Sequence, residues 1–166
     1  MKIAILYGTK YGTTEKVAKL ISKSIKNQNN NESIDIELIN LKEKNNLNLN
    51  YDFLIIGSSV YMGKIRKEVN EFLKKYKNTL IQKPFALFVC GVNIIEGIDQ
   101  VNKVFPSKIL NHAISTGFLG GELKLDKMNF FERKISQFIM KDTNEFKIDI
   151  IAIEEFAEKI TIFNTK

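Results

Sequence analysis

Lys2-Ile-Ala-Ile-Leu-Tyr7-Gly8-Thr-Lys-Tyr-Gly12-Thr-Thr14-Glu-Lys-Val17 contains a change of hydrophobic period, and that change decides the fold. The unbroken apolar run from Ile3 to Tyr7, stopped by Gly8, is the pattern of a strand buried on both faces. From Thr13 to about Gln28 the apolar residues fall at Val17, Leu20, Ile21 and Ile25, one helical stripe, with Glu15 in the first turn. A doubly buried strand followed by an amphipathic helix is the repeating element of a parallel sheet with helices on both faces.

The alternation continues outward from there. The polar run from Asn27 to Asn31 breaks the helix, and Ile34, Ile36 and Leu38 then predict a strand with one more exposed face. Residues 41–50 have no period and read as a surface loop. Tyr51 to Ser59 predicts a second fully buried strand, ended by Gly57, followed by a helix from about Ile65 to Tyr76. Pro84 opens a third such strand, Phe85 to Cys90, ended by Gly91. A helix over Ile98 to Phe105 stops at Pro106, and Ala113 to Leu119 predicts a weaker strand closed by Gly120-Gly121. Two helical stripes finish the chain: Met128, Phe131, Ile135, Phe138 and Ile139, then Ile153, Phe156, Ala157 and Ile160. No internal repeat or low-complexity linker intervenes, so residues 1–166 read as one α/β domain. The periods do not give the strand order.

Composition removes whole classes. With 166 residues, 44% of them hydrophobic and 27% charged, the chain is neither disordered nor fibrous. No apolar run approaches the roughly 18–20 residues of a membrane span, and Ile3–Tyr7 is too short for a signal-peptide core. Cys90 is the only cysteine, which excludes a disulfide framework and a thiolate zinc cluster. The expectation is a cytoplasmic protein without a metal site. Twenty-five Lys and Arg against nineteen Asp and Glu give a net charge of +6. That excess suits an anionic partner, or it is a Lys-rich bias spread over a solvated surface.

In a parallel sheet the strand carboxyl ends share one edge, where ligands bind. The loop Gly8-Thr9-Lys10-Tyr11-Gly12-Thr13-Thr14 leads into a helix N-terminus, a ready site for a phosphate. Thr9, Thr13 and Thr14 add hydroxyl donors and Gly12 lets the backbone close; the plainer reading is a strand–helix turn with Thr13 as N-cap. The triphosphate loop Gly-x-x-x-x-Gly-Lys-Ser/Thr and the dinucleotide fingerprint Gly-x-Gly-x-x-Gly are both absent. The loop Gly57-Ser58-Ser59-Val60-Tyr61-Met62-Gly63 offers small donors, a flat ring and a thioether to a planar conjugated ligand. Tyr61 folded back on the following helix is the alternative. Gly91, Val92 and Asn93 supply backbone and amide donors, and Cys90 reads as a strand-end filler.

Thr9-Lys-Tyr-Gly-Thr-Thr14 resembles the flavodoxin phosphate loop, Ser/Thr-x-x-Gly-x-Thr, which holds the 5′-phosphate of FMN. The chain is also similar to flavodoxin-domain proteins related to menaquinone-dependent protoporphyrinogen dehydrogenase. The features they share are Gly57-Ser-Ser-Val-Tyr-Met-Gly63, Val92-Asn93, and a glycine-rich strand before a Phe/Lys/Arg-rich helix over Phe118 to Met140. The resemblance implies a five-stranded parallel sheet of order 2-1-3-4-5. It implies that Thr9, Lys10, Tyr11, Gly12, Thr13 and Thr14 wrap the FMN phosphate. Ser58, Ser59, Val60, Tyr61, Met62 and Gly63 would then line one edge of the isoalloxazine, and Gly91, Val92 and Asn93 the other. Two departures stand out. The Tyr/Trp-rich stretch of that enzyme family is replaced by Phe130, Phe131 and Phe138, and the basic charge is unlike acidic electron-carrier flavodoxins.

The resemblance implies an oxidoreductase in which the flavin carries the chemistry and no side chain is catalytic, with a quinone or another acceptor taking the electrons. The other reading is an electron shuttle that docks on a redox partner protein, and a third is a fold that has lost FMN. His112 reads as structural or surface. The lysines and arginines around residues 64–77 and 127–141 read as a solvated polar face, or as peripheral contact with an anionic membrane. No helix-turn-helix or aromatic-sheet signature accompanies the charge, so nucleic acid is not an expected partner.

Overall fold

The computed structural model describes residues 1–29, 33–44, 46–92, 96–122, 125–128, 130, 133–134 and 147–164. Their elements run β1 (Lys2–Gly8), α1 (Thr13–Gln28), β2 (Asp35–Asn40), β3 (Phe53–Tyr61), β4 (Lys64–Ile65), α2 (Lys67–Lys75) and α3 (Lys77–Leu80). Next come β5 (Phe85–Cys90), α4 (Gly97–Val104), α5 (Ser107–Leu110), β6 (Ser115–Phe118), a 3-10 turn (Leu125–Lys127) and α6 (Ile150–Asn164). The Met128–Ile139 stripe lies, apart from Met128, largely outside the described residues.

Five strands form a parallel sheet in the order β2-β1-β3-β5-β6, and the two-residue β4 pairs antiparallel with the end of β3. Without that hairpin the order is 2-1-3-4-5, as the resemblance implies. The chain leaves β1 to one side for β2 and returns to the other side for β3. The strand order therefore reverses between β1 and β3, and a crevice opens at their carboxyl ends.

Alternation along the strands sorts the apolar side chains onto two faces. Ile3, Ile5, Tyr7, Phe53, Ile55, Phe88 and Cys90 pack beneath α1 and α6 through Val17, Ile21, Ile25, Ile153, Phe156 and Ile160. Ala4, Leu6, Leu54, Ile56, Leu87 and Val89 pack on the other face against α2, α3 and α4 through Val69, Phe72, Leu73, Leu80 and Val101. Leu41 and Leu49 are buried in this second core, and the Leu47 amide donates to the Tyr76 hydroxyl at 3.2 Å. The described residues of 41–50 form a mostly exposed loop, as their lack of period suggests, tied down by Leu41 and Leu49.

Candidate cofactor-binding site

The loop after β1 is shaped by Gly12. This residue sits in the left-handed region, with φ 89° and ψ −1°, as the N-cap of α1, and no side chain caps the helix. Thr13 is the first helical residue and not its cap. The Thr9 hydroxyl accepts the Gly12 N–H at 3.0 Å, closing the loop on itself. Thr14 is fully buried and its hydroxyl has no hydrogen-bond partner. The arrangement is a helix N-terminus without a side-chain cap, with its positive dipole end, and a buried hydroxyl without a partner in its first turn.

The loop after β3 is drawn against the first. A Cβ on Gly8 would lie 2.6 Å from Val69 Cγ2 and 2.9 Å from Arg66 Cβ, so only glycine lets the start of α2 approach β1 this closely. Tyr61 and Lys64 pair across a two-residue turn, Met62-Gly63, whose φ values are 49° and 70°. Both are positive, as a type I′ hairpin turn requires, and Met62 is held there as a non-glycine residue. Its side chain is 80% exposed beside the crevice. The Ser58 hydroxyl accepts the Arg66 N–H at 2.9 Å and donates to the Ser59 carbonyl at 3.0 Å, so it fastens the hairpin. The Ser59 hydroxyl is buried without a partner. Lys10 links the two loops: its ammonium lies 4.0 Å from the Tyr61 ring centroid and 5.1 Å from that of Tyr11. Tyr61 is thus engaged with the first loop, at the crevice.

The third loop leaves β5 at Cys90, which pairs in register with Ser59. Burial pushes the Cys90 thiol up to about 12, offset in part by the nearby Thr14 hydroxyl. That hydroxyl makes no hydrogen bond of normal geometry to the thiol. Cys90 is therefore a filler and not a nucleophile. The Gly91 N–H donates to the Gly120 carbonyl at 3.1 Å. Val92 is partly buried, and Asn93 lies outside the described residues.

Sequence reasoning missed Gln100 on α4, which is only 7% exposed and whose carbonyl oxygen has no partner. The available signal was a polar residue on the inward stripe of a helix that also buries Val101. His112, exposed, contacts the Lys108 carbonyl through Nδ1 at 2.9 Å, within its own helix end. Among the described residues no cluster of His, Cys, Asp and Glu could hold a metal.

Four buried side-chain polar atoms lack partners among the described residues, and three of them, Thr14 Oγ1, Ser59 Oγ and Gln100 Oε1, stand at this one edge. Native chains leave few such atoms. Fold and site together define a parallel α/β domain with an uncapped helix N-terminus at the sheet's switch point, an arrangement suited to an anion. The flavodoxin domain profile matches residues 4–148, and the chain belongs to that family.

The chain is 24% identical over 149 residues to the protoporphyrinogen IX dehydrogenase [quinone] of Leishmania major, covering 86% of this chain and 63% of that protein. It is 29% identical over 120 residues to a flavodoxin of Clostridium saccharobutylicum, covering 72% and 71%. Flavodoxin 2 of Bacillus cereus superposes with a TM-score of 0.57 at 20% identity, over 98% of this chain and 99% of that one. FMN is the cofactor of this family. The site fits it on the structure's own terms, through the uncapped α1 N-terminus, the buried Thr14 hydroxyl beneath it and the orphaned polar atoms alongside.

Proposed function

We propose that the protein is an FMN-dependent oxidoreductase that passes electrons from a reduced substrate to a quinone or a similar acceptor. The observation that carries the reading is the buried, unpartnered Thr14 hydroxyl in the first turn of α1, whose N-terminus no side chain caps. In this reading Thr9, Lys10, Tyr11, Gly12, Thr13 and Thr14 hold the phosphate. Ser59 through Gly63 flank one side of the ring system, with Ser58 bracing them, and Gly91, Val92 and Asn93 flank the other. FMN supplies hydride or single-electron transfer when bound. The chain's own part is to hold, orient and shield. The Lys10 ammonium at the Tyr61 ring brings positive charge to the crevice, which favours the more negative, reduced form of a cofactor. This supports an enzyme that draws electrons toward itself, in keeping with the protoporphyrinogen dehydrogenase relatives. The exposed Lys64, Lys67, Lys74, Lys75 and Lys77 would meet an anionic membrane in front of a lipid-borne quinone. Among the described residues no helix is long and apolar enough to cross a membrane.

A second reading, an electron shuttle without its own substrate, is favoured by Met62. A strained, 80% exposed thioether at a hairpin tip beside the crevice is a contact point for a redox partner protein. Anaerobic turnover with protoporphyrinogen IX and a menaquinone analogue separates the two. Oxidation of the porphyrinogen with stoichiometric reduction of the quinone supports the enzyme. A protein that takes up FMN, accepts electrons from a reductase and leaves the porphyrinogen untouched supports the shuttle. Sedimentation with anionic and neutral vesicles at two salt concentrations tests the membrane contact, which requires salt-sensitive binding to the anionic vesicles alone.

A further inference from the structure

α1 and α6 lie side by side over one face of the sheet and run the same way. α1 starts at the carboxyl edge after β1; α6 starts just after Ile148, which bridges Gly120 beyond β6, and ends with Phe163 against Phe53 at the start of β3. Val17, Ala18, Ile21 and Ile25 turn inward, so Lys16, Lys19, Lys23 and Lys26 form an exposed outer ridge on α1. On α6, Ile153, Phe156 and Ile160 are buried, and Glu154, Glu155 and Glu158 are exposed. α1 holds four lysines and one glutamate, a net +3; α6 holds three glutamates and one lysine, a net −2. Lys16 and Lys19 are tied to Glu122 and Glu15. Lys23, Lys26, Glu154, Glu155 and Glu158 make no ion pair among the described residues, although the two helices adjoin. Between the ridges runs an open groove of about 420 Å³, with Leu20, Ser24, Ile150 and Ile153 in its lining. Ile150 and Ile151, 49% and 70% exposed, extend this apolar strip at the start of α6.

We infer that this face is a homodimer interface, on which a second copy of the chain seats its own α1 and α6. The inference is independent of the FMN reading. The charge pattern selects the occupant. An acidic protein or an anionic membrane suits the lysine ridge and is repelled by the glutamate ridge; a basic partner meets the reverse. A second copy carries both ridges. A two-fold axis along the groove sets each α1 over the partner's α6, so lysines meet glutamates twice and the apolar strips meet between them. An axis across the helices would set lysines on lysines, so the charges admit one arrangement. Both α1 N-termini then stand at the same end, and both sheet carboxyl edges open to the same side of the dimer. Helices of 16 and 15 residues, at about 1.5 Å per residue and about 10 Å across, cover about 24 by 20 Å. That is the low end of specific interfaces, which makes the dimer reversible and sensitive to salt.

Sedimentation equilibrium of the purified full chain, from about 1 to about 500 μM, tests this. The wild type forms a dimer with a micromolar dissociation constant at about 50 mM salt, weakened at least about tenfold at about 0.5 M. Lys23→Glu with Lys26→Glu, and separately Glu155→Lys with Glu158→Lys, weaken self-association at least about tenfold, because the two-fold axis counts each reversal twice. These side chains are exposed, and the circular dichroism of both variants matches the wild type. An equimolar mixture of the two recovers the dimer, since each offers the charge the other lacks. Ile151→Asp weakens the dimer and leaves its salt dependence unchanged. A wild type that stays monomeric across this range at low salt overturns the proposal. So does a dimer indifferent to both reversals, or a mixture of the reversed variants that stays monomeric. A monomer that sediments with anionic vesicles would assign the lysine ridge to a membrane and overturn it as well.

Discussion

The β2 edge of the sheet and the crevice treat polar groups in opposite ways. At the β2 edge the Glu37 carboxylate accepts from the Tyr51 hydroxyl and from the Lys44 ammonium, the latter at 3.0 Å. The Tyr51 carbonyl accepts from Lys83 Nζ at 3.1 Å, and the Asn40 side chain bonds both Glu43 and the Lys42 N–H. These groups stand half in water, where pairing contributes little. At the carboxyl edge Thr14 Oγ1, Ser59 Oγ and Gln100 Oε1 are dry and unpaired, where being unpaired costs most. Stability alone would produce the reverse. The difference is the one expected if the carboxyl edge serves a ligand and the β2 edge only the fold.

The largest effect should come from Thr14. Thr14→Glu places a carboxylate beneath a phosphate dianion and should weaken FMN binding more than about a hundredfold. Thr14→Val sharpens the contrast, because it removes a buried hydroxyl that has no partner. The apoprotein should gain about 1 kcal/mol in denaturant unfolding while FMN affinity falls about tenfold. A destabilised Thr14→Val variant with unchanged affinity would make the hydroxyl structural and erase the distinction between the two edges.

Tyr51→Phe is the matched test at the other edge. It should lose about 0.5–1 kcal/mol of stability and leave FMN affinity unchanged. Its pH dependence has a definite sign. The Tyr51 hydroxyl and Lys44 hold Glu37 below the ordinary carboxylate value, so its contribution is present above that value and is lost as pH falls through the lower folded one. Burial first, and the Glu37 carboxylate second, push the Tyr51 hydroxyl up to about 12 from 10.0. That contribution is complete below pH 10.0 and is lost as pH rises toward 12. Unfolding curves of Tyr51→Phe should lack this alkaline decline and show a weaker acid one.

How much of this was legible beforehand follows physical lines. The bounds of α1 and β5 are those read from the hydrophobic period, because a doubly buried strand and a one-sided helix each leave a period in the chain. The strand read from Tyr51 to Ser59 in fact runs Phe53–Tyr61, and the helix expected from Ile65 begins at Lys67. The later strand end and the later helix start share a cause in the Met62–Gly63 hairpin, whose left-handed methionine is not the usual residue for such a turn. Residues 41–50 bury Leu41 and Leu49 without regular structure and so leave no period. At the site, the glycine-and-threonine loop was visible as a motif. The commitment of Ser58 to the hairpin and the orphaning of Gln100 are three-dimensional facts: they depend on Arg66 and Gly91 arriving beside them.

The smallest effect concerns Cys90. Raised to about 12 and buried, its thiol should label at less than about a hundredth of the rate of a free thiol at pH 8 in the native protein, and fully in denaturant. Rapid native labelling would mean that the crevice floor opens, and the dryness on which the comparison rests would be lost.

The most direct test is an equilibrium titration of the purified apoprotein with FMN, followed by the visible spectrum. One FMN should bind per chain, turning the protein yellow, with binding weakened by Thr14→Val and untouched by Tyr51→Phe. A protein that stays colourless in excess FMN, or one that binds it equally well in both variants, would contradict the account.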